Sequence, residues 1–418
     1  MNFTKNARSY RGRVLTTRPE QSVFKTHLEE DGVVVVGADG TILFVGPYSN
    51  NVPHPVVDFH PHVITPGFAD VHVHYPQTRV MGRATGPLLD WLSNTVFPEE
   101  SKFVDSAYAD KVANEFYAHL IASGTTCAGI YATSSKSATQ TAIQHALNVG
   151  IAAQVGLVLM DRGAPDALVV SREQALSDLA QLLNFTAGNE RVKLAVTPRF
   201  ALSCTPELLR EAGHFAAQNK LLVQTHLSEN VEECRATLAA FPGCADYLSV
   251  YESAGLVHDQ ALFAHAIHLS DSEVERMARA GAKVAHCPDS NLFLGSGTML
   301  LRALLSAGIK VGLGSDVAAG RTFDMRRIAA SAYDVALLQK APVSLEELFA
   351  LLTFGGAQVL GFGDTRGALT AGRMGDFLVI DVPEYTRQKS DILGQLLFAS
   401  DTCKVIRTYL SGKKPNLP

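Results

Sequence analysis

The chain has 418 residues, 47% of them hydrophobic and 18% charged, with a formal net charge of −5. That balance excludes a disordered or highly charged interaction protein, and with no dense Lys/Arg run it argues against duplex nucleic acid or an anionic membrane as partner. Six scattered cysteines (Cys127, Cys204, Cys234, Cys244, Cys287, Cys403) form no CxxC pair, which reads as reduced thiols in a cytoplasmic protein. Residues 1–20 are basic but lack the apolar core of a secretory signal, and no run of 18 apolar residues follows.

From the N-terminus, residues 11–64 read as short strands. RGRVLTT, the run at 32–37 and TILFVG are rich in β-formers, and the ADG turn at 38–40 separates two of them as in a hairpin. Between Pro66 and about Leu369, apolar strand-like runs alternate with longer helical patterns. VITPGFADVHVH leads. TTCAGIYA precedes a helix at 139–148, IAAQVGLVLM one near 172–184, and KLAVTPRF one at 206–219. LLVQTHLSE, ALFAHAIHLS with a helix at 271–280, AKVAHCPDS with a short helix near 299–307, and IKVGLGSD complete the series. Repeated strand–helix units imply a parallel sheet, and about eight of them a closed (β/α)8 barrel with its site at the C-terminal strand ends. GDFLVIDV and KVIRTYLSG then return to strands. We therefore expect a barrel over residues 66–369, flanked by β segments at 1–65 and 370–418.

Chemistry concentrates at the predicted strand ends. His72 and His74 stand at i and i+2, so both imidazoles project from one face and could share a metal ion. An isolated HxH could equally be two half-exposed polar positions. Three later groups support a metal: His226 in THLSE with Glu229 three residues on, His265 in AHA, and Asp316 in GSD, each ending an apolar run.

PGFADVHVH, THLSE, AH and GSD resemble, in order and spacing, the amidohydrolase superfamily, over most of the chain. The resemblance implies a distorted (β/α)8 TIM barrel whose N- and C-terminal segments make a small β-sandwich. It implies His72, His74, His226 and Asp316 as ligands of Zn²⁺, and His265 beside the metal-bound water. Two-metal members carry a lysine at the end of the fourth strand, whereas Lys193 opens that strand, which favours one metal per chain. Zinc would bring the pKa of bound water to roughly 7, giving a hydroxide that attacks an amidine-like ring carbon. Glu229 would shuttle its proton to the departing amine, with Asp316 assisting. The zinc design of cytidine and tRNA-adenosine deaminases needs PCxxC, which Cys287-Pro288 does not continue.

HYPQT, LLDWLSNTVFPEE, TPRFALSC, HCPDSNLFLGSG and GLGSDVAAGRTFDM resemble the guanine deaminases within that superfamily. This implies conversion of guanine to xanthine and ammonia in purine catabolism. Guanine presents acceptors at O6 and N7, and Arg199 offers only donors, in a fork, while Gln77 can donate through its amide. Phe200 could stack on the purine, with Trp91 and Phe97 as an apolar lid. The resemblance implies substrate contacts at His74, Gln77, Trp91, Arg199, Phe200, His226, Glu229 and Asp316. By pattern alone Trp91, Leu88 and Leu92 read as packing, and Arg199 could bridge a structural carboxylate. Ser290 and Asn291 read as loop-holding residues, and His258, His268 and His286 as structural or surface residues. Relatives often read AHG or AHC where this chain has Ala266. A pterin, 8-oxoguanine or an s-triazine remains an alternative substrate, and an inactive metal-binding protein on the same fold the non-enzyme alternative. Relatives suggest a homodimer.

Overall fold

The computed structural model describes residues 6–19, 22–83, 86–385 and 389–417; residues 1–5, 20 and 21, within or beside the N-terminal segment read above, lie outside them. The N-terminal β-rich stretch forms strands β1 (Arg8–Arg18), β2 (Ser22–Val36), β3 (Ile42–Pro47) and β4 (Val56–Pro66), of which β1, β2 and β4 are longer than the short strands expected. The ADG segment turns β2 into β3, with Gly40 at φ +88°, a conformation open to glycine.

Eight parallel strands follow: β5 (Phe68–His74), β6 (Thr125–Tyr131), β7 (Ala152–Leu159), β8 (Val192–Pro198), β9 (Leu222–Leu227), β10 (Ala261–His265), β11 (Lys283–His286) and β12 (Lys310–Leu313). They pair in sequence order from β5 to β12. Beyond the end of β12 the chain reaches the first strand, where Asp316 N–H donates to the His72 carbonyl at 2.8 Å and His74 N–H to Val317 at 3.2 Å. The ring is thereby drawn nearly closed at its mouth. Polar residues set the helix starts. Ser135, Ser171, Thr205 and Ser270 cap the helices Lys136–Val149, Arg172–Thr186, Pro206–Asn219 and Asp271–Ala280, each cap contributing about 1 kcal/mol.

Small and mid-sized side chains (Ala69, Val71, Cys127, Ala195, Leu262, Ala264, Ala285) fill the barrel interior, with Leu360 and Phe362 in the same cluster. Strands β13 (Phe377–Ile380) and β14 (Val405–Tyr409) join the N-terminal ones in a six-stranded mixed sheet, ordered β14-β13-β4-β1-β2-β3. Its apolar core gathers Tyr10, Val34, Ile64, Phe377 and Tyr409. Among the described residues no helix is long and apolar enough to cross a membrane.

Candidate active site

The barrel mouth is where the backbone leaves ordinary conformations. Ser228, His265, Ala266 and Asp316 all have positive φ, between +48° and +72°, and all follow or end barrel strands. Such residues persist only where their surroundings over-determine them, which concentrates them at functional sites. Asp70 does much of the fixing: it accepts from Ser315 N (2.9 Å), Ser315 Oγ (2.5 Å) and His72 N (3.3 Å). Burial pushes its carboxyl up to about 7. Gly314 lets the segment press against β5, since a Cβ there would lie 2.7 Å from the His72 Cβ.

Four ionisable groups converge inside this frame. His72 Nε2 lies 3.2 Å from His74 Nε2 and 3.2 Å from Asp316 Oδ1, while His74 Nε2 lies 3.3 Å from both His226 Nε2 and Asp316 Oδ1. Ligands held at 2.0–2.1 Å around a tetrahedral ion stand about 3.3 Å apart, so these four atoms have the spacing of a ligand set. His226 Nδ1 donates to the Arg199 carbonyl at 2.6 Å, which leaves its Nε2 bare toward the cluster. Burial lowers the imidazole pKa values, His72 to about 4 and His226 well below the usual range, so the rings stay neutral, as ligation requires. Burial alone would raise Asp316, but His72 and His74 outweigh it and hold the carboxyl well below its ordinary value. His72, His226 and Asp316, together with His265, form a group that can hold a metal ion, and His74 Nε2 stands at ligand spacing from the first three.

His265 and Glu229 stand beside it. His265 Nδ1 bonds Asn291 Oδ1 at 2.8 Å, and its Nε2 lies 3.4 Å from Glu229 Oε2 and 3.8 Å from Asp316 Oδ2. With Nδ1–H on Asn291, His265 turns its Nε2 toward the Glu229 oxygen. Burial, and secondly the Asp316 charge, raise the Glu229 carboxyl well above its usual value, making it a stronger proton acceptor than an ordinary carboxylate. Asn291, read from sequence as a loop residue, thus also orients His265. His286 is buried rather than at the surface, and both its ring nitrogens are unpartnered.

A cavity opens over the cluster, lined by His74, Gln77, Leu88, Trp91, Leu92, Arg199, Phe200, His226, Glu229, Glu233, Leu294, Asp316 and Ala319. Every residue named from sequence as a substrate contact lines it; His72 and His265 stand in the cluster behind. Trp91 and Leu92 come from the excursion between β5 and β6, where a π-helical turn at Leu92–Val96 interrupts the helix. Phe97 lies against Arg199 instead, its ring centroid 5.3 Å from the guanidinium carbon. Sequence reasoning passed over Glu100, which binds both Arg199 Nη1 (2.6 Å) and Gln77 Nε2 (3.1 Å), and Glu233, which lines the cavity. The signal for Glu233 was its place three residues after Asn230, at N3 of a capping box. Tyr131, whose ring packs against His72, His74 and His226, offered none.

A barrel with this His/Asp mouth defines a class of metal-dependent hydrolases, and residues 63–414 match the amidohydrolase family; the chain belongs to it. Within that family it is similar to guanine deaminases. The Escherichia coli (strain K12) guanine deaminase is 32% identical over 410 residues, 94% of this chain and 93% of the relative. A probable guanine deaminase of Deinococcus radiodurans is 36% identical over 358 residues, 83% and 82% of the two chains. The crystal structure of a C. acetobutylicum guanine deaminase with guanine bound in its active site superposes with a TM-score of 0.91 at 32% identity, covering 98% of this chain and 100% of that one.

Proposed function

We propose that the chain deaminates guanine to xanthine and ammonia, with one Zn²⁺ held by His72, His74, His226 and Asp316. The observation that carries the reading is the placement of donor-bearing Arg199 and Gln77 on the cavity wall beside the His/Asp cluster. Guanine's O6 and N7 are acceptors, so donors on that wall accept guanine and reject adenine, whose position 6 bears a donor. Phe200 supplies an apolar face for the ring and Trp91 a further wall.

When bound, the metal supplies a water molecule that ionises near neutral pH. As the water oxygen bonds to C2 and the C2=N3 double bond opens, Glu229 would carry one water proton to N3 and then the second to the amine as the C2–N bond breaks, so ammonia and the 2-oxo ring leave. His265, held through Nδ1 by Asn291, turns its Nε2 to the same place and stabilises charge developing there. Asp316 stays ionised. The six unpaired cysteines support a reducing, cytoplasmic setting, in which the reaction belongs to purine catabolism; a homodimer is the assembly we expect, testable by sedimentation.

The test is ammonia release by zinc-loaded protein from guanine, 8-oxoguanine, pterin, cytosine and adenine in parallel. Guanine should be turned over fastest. Strong activity on pterin with none on guanine would overturn the substrate and leave the proton route standing.

A further inference from the structure

Glu100 is 1% exposed and does not line the cavity, yet each of its oxygens holds a residue that does. Oε2 accepts from Arg199 Nη1 at 2.6 Å and Oε1 from Gln77 Nε2 at 3.1 Å. Gln77 is gripped at its other end too, because its Oε1 accepts from Ala318 N at 3.1 Å in the loop after Asp316. Only the amide nitrogen can therefore face the carboxylate, and its second N–H is left for the cavity. Arg199 is similarly committed: its carbonyl takes the His226 Nδ1 proton, and Phe97 backs its guanidinium. One of its five N–H groups goes to Glu100, and the residue lines the cavity.

We propose that Glu100 is a positioning residue for substrate selection. It aligns the Arg199 and Gln77 donors in one plane facing the ring's oxo edge, and it matches the guanidinium charge so that the wall binds a neutral ring. This rests on the function proposed above. The physical case is that a carboxylate only accepts. It can receive two donors side by side, whereas an amide would turn one of its own N–H groups against Arg199 or Gln77.

The experiment compares wild type with Glu100→Gln on two rings, guanine and 2-aminopurine, which keeps the 2-amino group and lacks the 6-oxygen. We expect kcat/KM for guanine to fall about 10- to 100-fold, the range for a lost charge-assisted hydrogen bond, with KM carrying most of the loss. Turnover of 2-aminopurine should change less than about 3-fold and metal content should stay the same, so the preference for guanine shrinks. Equal losses on both rings, or an unchanged guanine preference, would overturn the proposal by making Glu100 merely structural. Glu100→Asp keeps the charge and should retain part of the preference; if Glu100→Gln does not fold, the same two-ring ratio in Glu100→Asp decides, an unaltered ratio counting against. A wild-type enzyme inactive on guanine would instead defeat the function reading.

Discussion

The two ends of the barrel both bury charge, and they do so in opposite ways. At the base Asp376 accepts from Arg366 Nε at 3.0 Å and Ser411 N at 2.6 Å, and Arg191 stands 3.7 Å from the same carboxylate. Arg191 also donates to the Gly150 carbonyl and the Ser411 hydroxyl. Opposite charges meet there, and the cluster fastens the six-stranded sheet to the loops before β7 and β8. At the mouth, Glu229 Oε1, His265 Nε2 and His74 Nδ1 are buried without a hydrogen-bond partner, and the ligand-like nitrogens crowd one point. Buried polar atoms left unmatched are costly. A chain that carries several in one place, on strained backbone, has spent stability on chemistry; a chain that matches them has built a joint.

The comparison breaks most sharply at Glu229. Glu229→Gln keeps shape and removes the proton carrier, so turnover should fall by about 10²–10⁴-fold while bound metal is unchanged. Ammonia release with parallel metal analysis reads both, and a variant within threefold of wild type would remove Glu229 from the proton route.

At the base the expected signature is reversed. Asp376→Asn deprives the buried Arg366 and the partly buried Arg191 of their counter-charge and should cost about 3–5 kcal/mol of stability, read by denaturant unfolding. For the enzyme that remains folded, kcat/KM should match wild type. A large catalytic loss without a stability loss would show that the two ends are not separable.

Lys283, at the start of β11, tests whether the base tolerates unmatched charge. It is 5% exposed, and burial, with Lys310 nearby, lowers its pKa to about 8. Because the folded value lies below the unfolded one, near 10.4, the unfolded chain binds more protons between pH 8 and about 10.5, and stability rises with pH across that window. Lys283→Met should therefore be more stable than wild type by roughly 1–3 kcal/mol at pH 7, with the advantage gone by about pH 10.5. An advantage that persists at high pH would trace to packing instead.

The joint and the chemistry were unequally legible in the sequence. Strand–helix alternation, and His72, His74, His226, His265 and Asp316 at strand ends, are local patterns, so the barrel and the polar groups of its mouth could be read directly. What holds those groups is not local. Glu100 meets Arg199 across 99 residues and Asp70 meets Ser315 across 245. No periodicity marks such pairs. Phe97 was read as lid because it lies near Trp91 in sequence, but the π-helical turn between them separates their directions, and Phe97 backs Arg199. The alternatives for Arg199 were posed as substrate contact or structural bridge, and its position serves both.

Ala266 offers the smallest effect and the finest probe of strain at the mouth. Its φ is +48°, directly after His265 at +72°, and its N–H donates to the Leu227 carbonyl at 2.9 Å. A side chain in that region costs about 1–2 kcal/mol, whereas glycine adopts it freely and loses about 0.5–1 kcal/mol through its larger unfolded-state entropy. Ala266→Gly should thus gain about 0.5 kcal/mol. The gain removes one of the constraints that hold His265, so kcat should fall slightly as Tm rises. If the variant is instead less stable, Ala266 is held by its packing against the core and the positive φ at that position stores little strain. If Tm rises with kcat unchanged, His265 is placed by Asn291 alone and the backbone at the mouth contributes nothing to its aim.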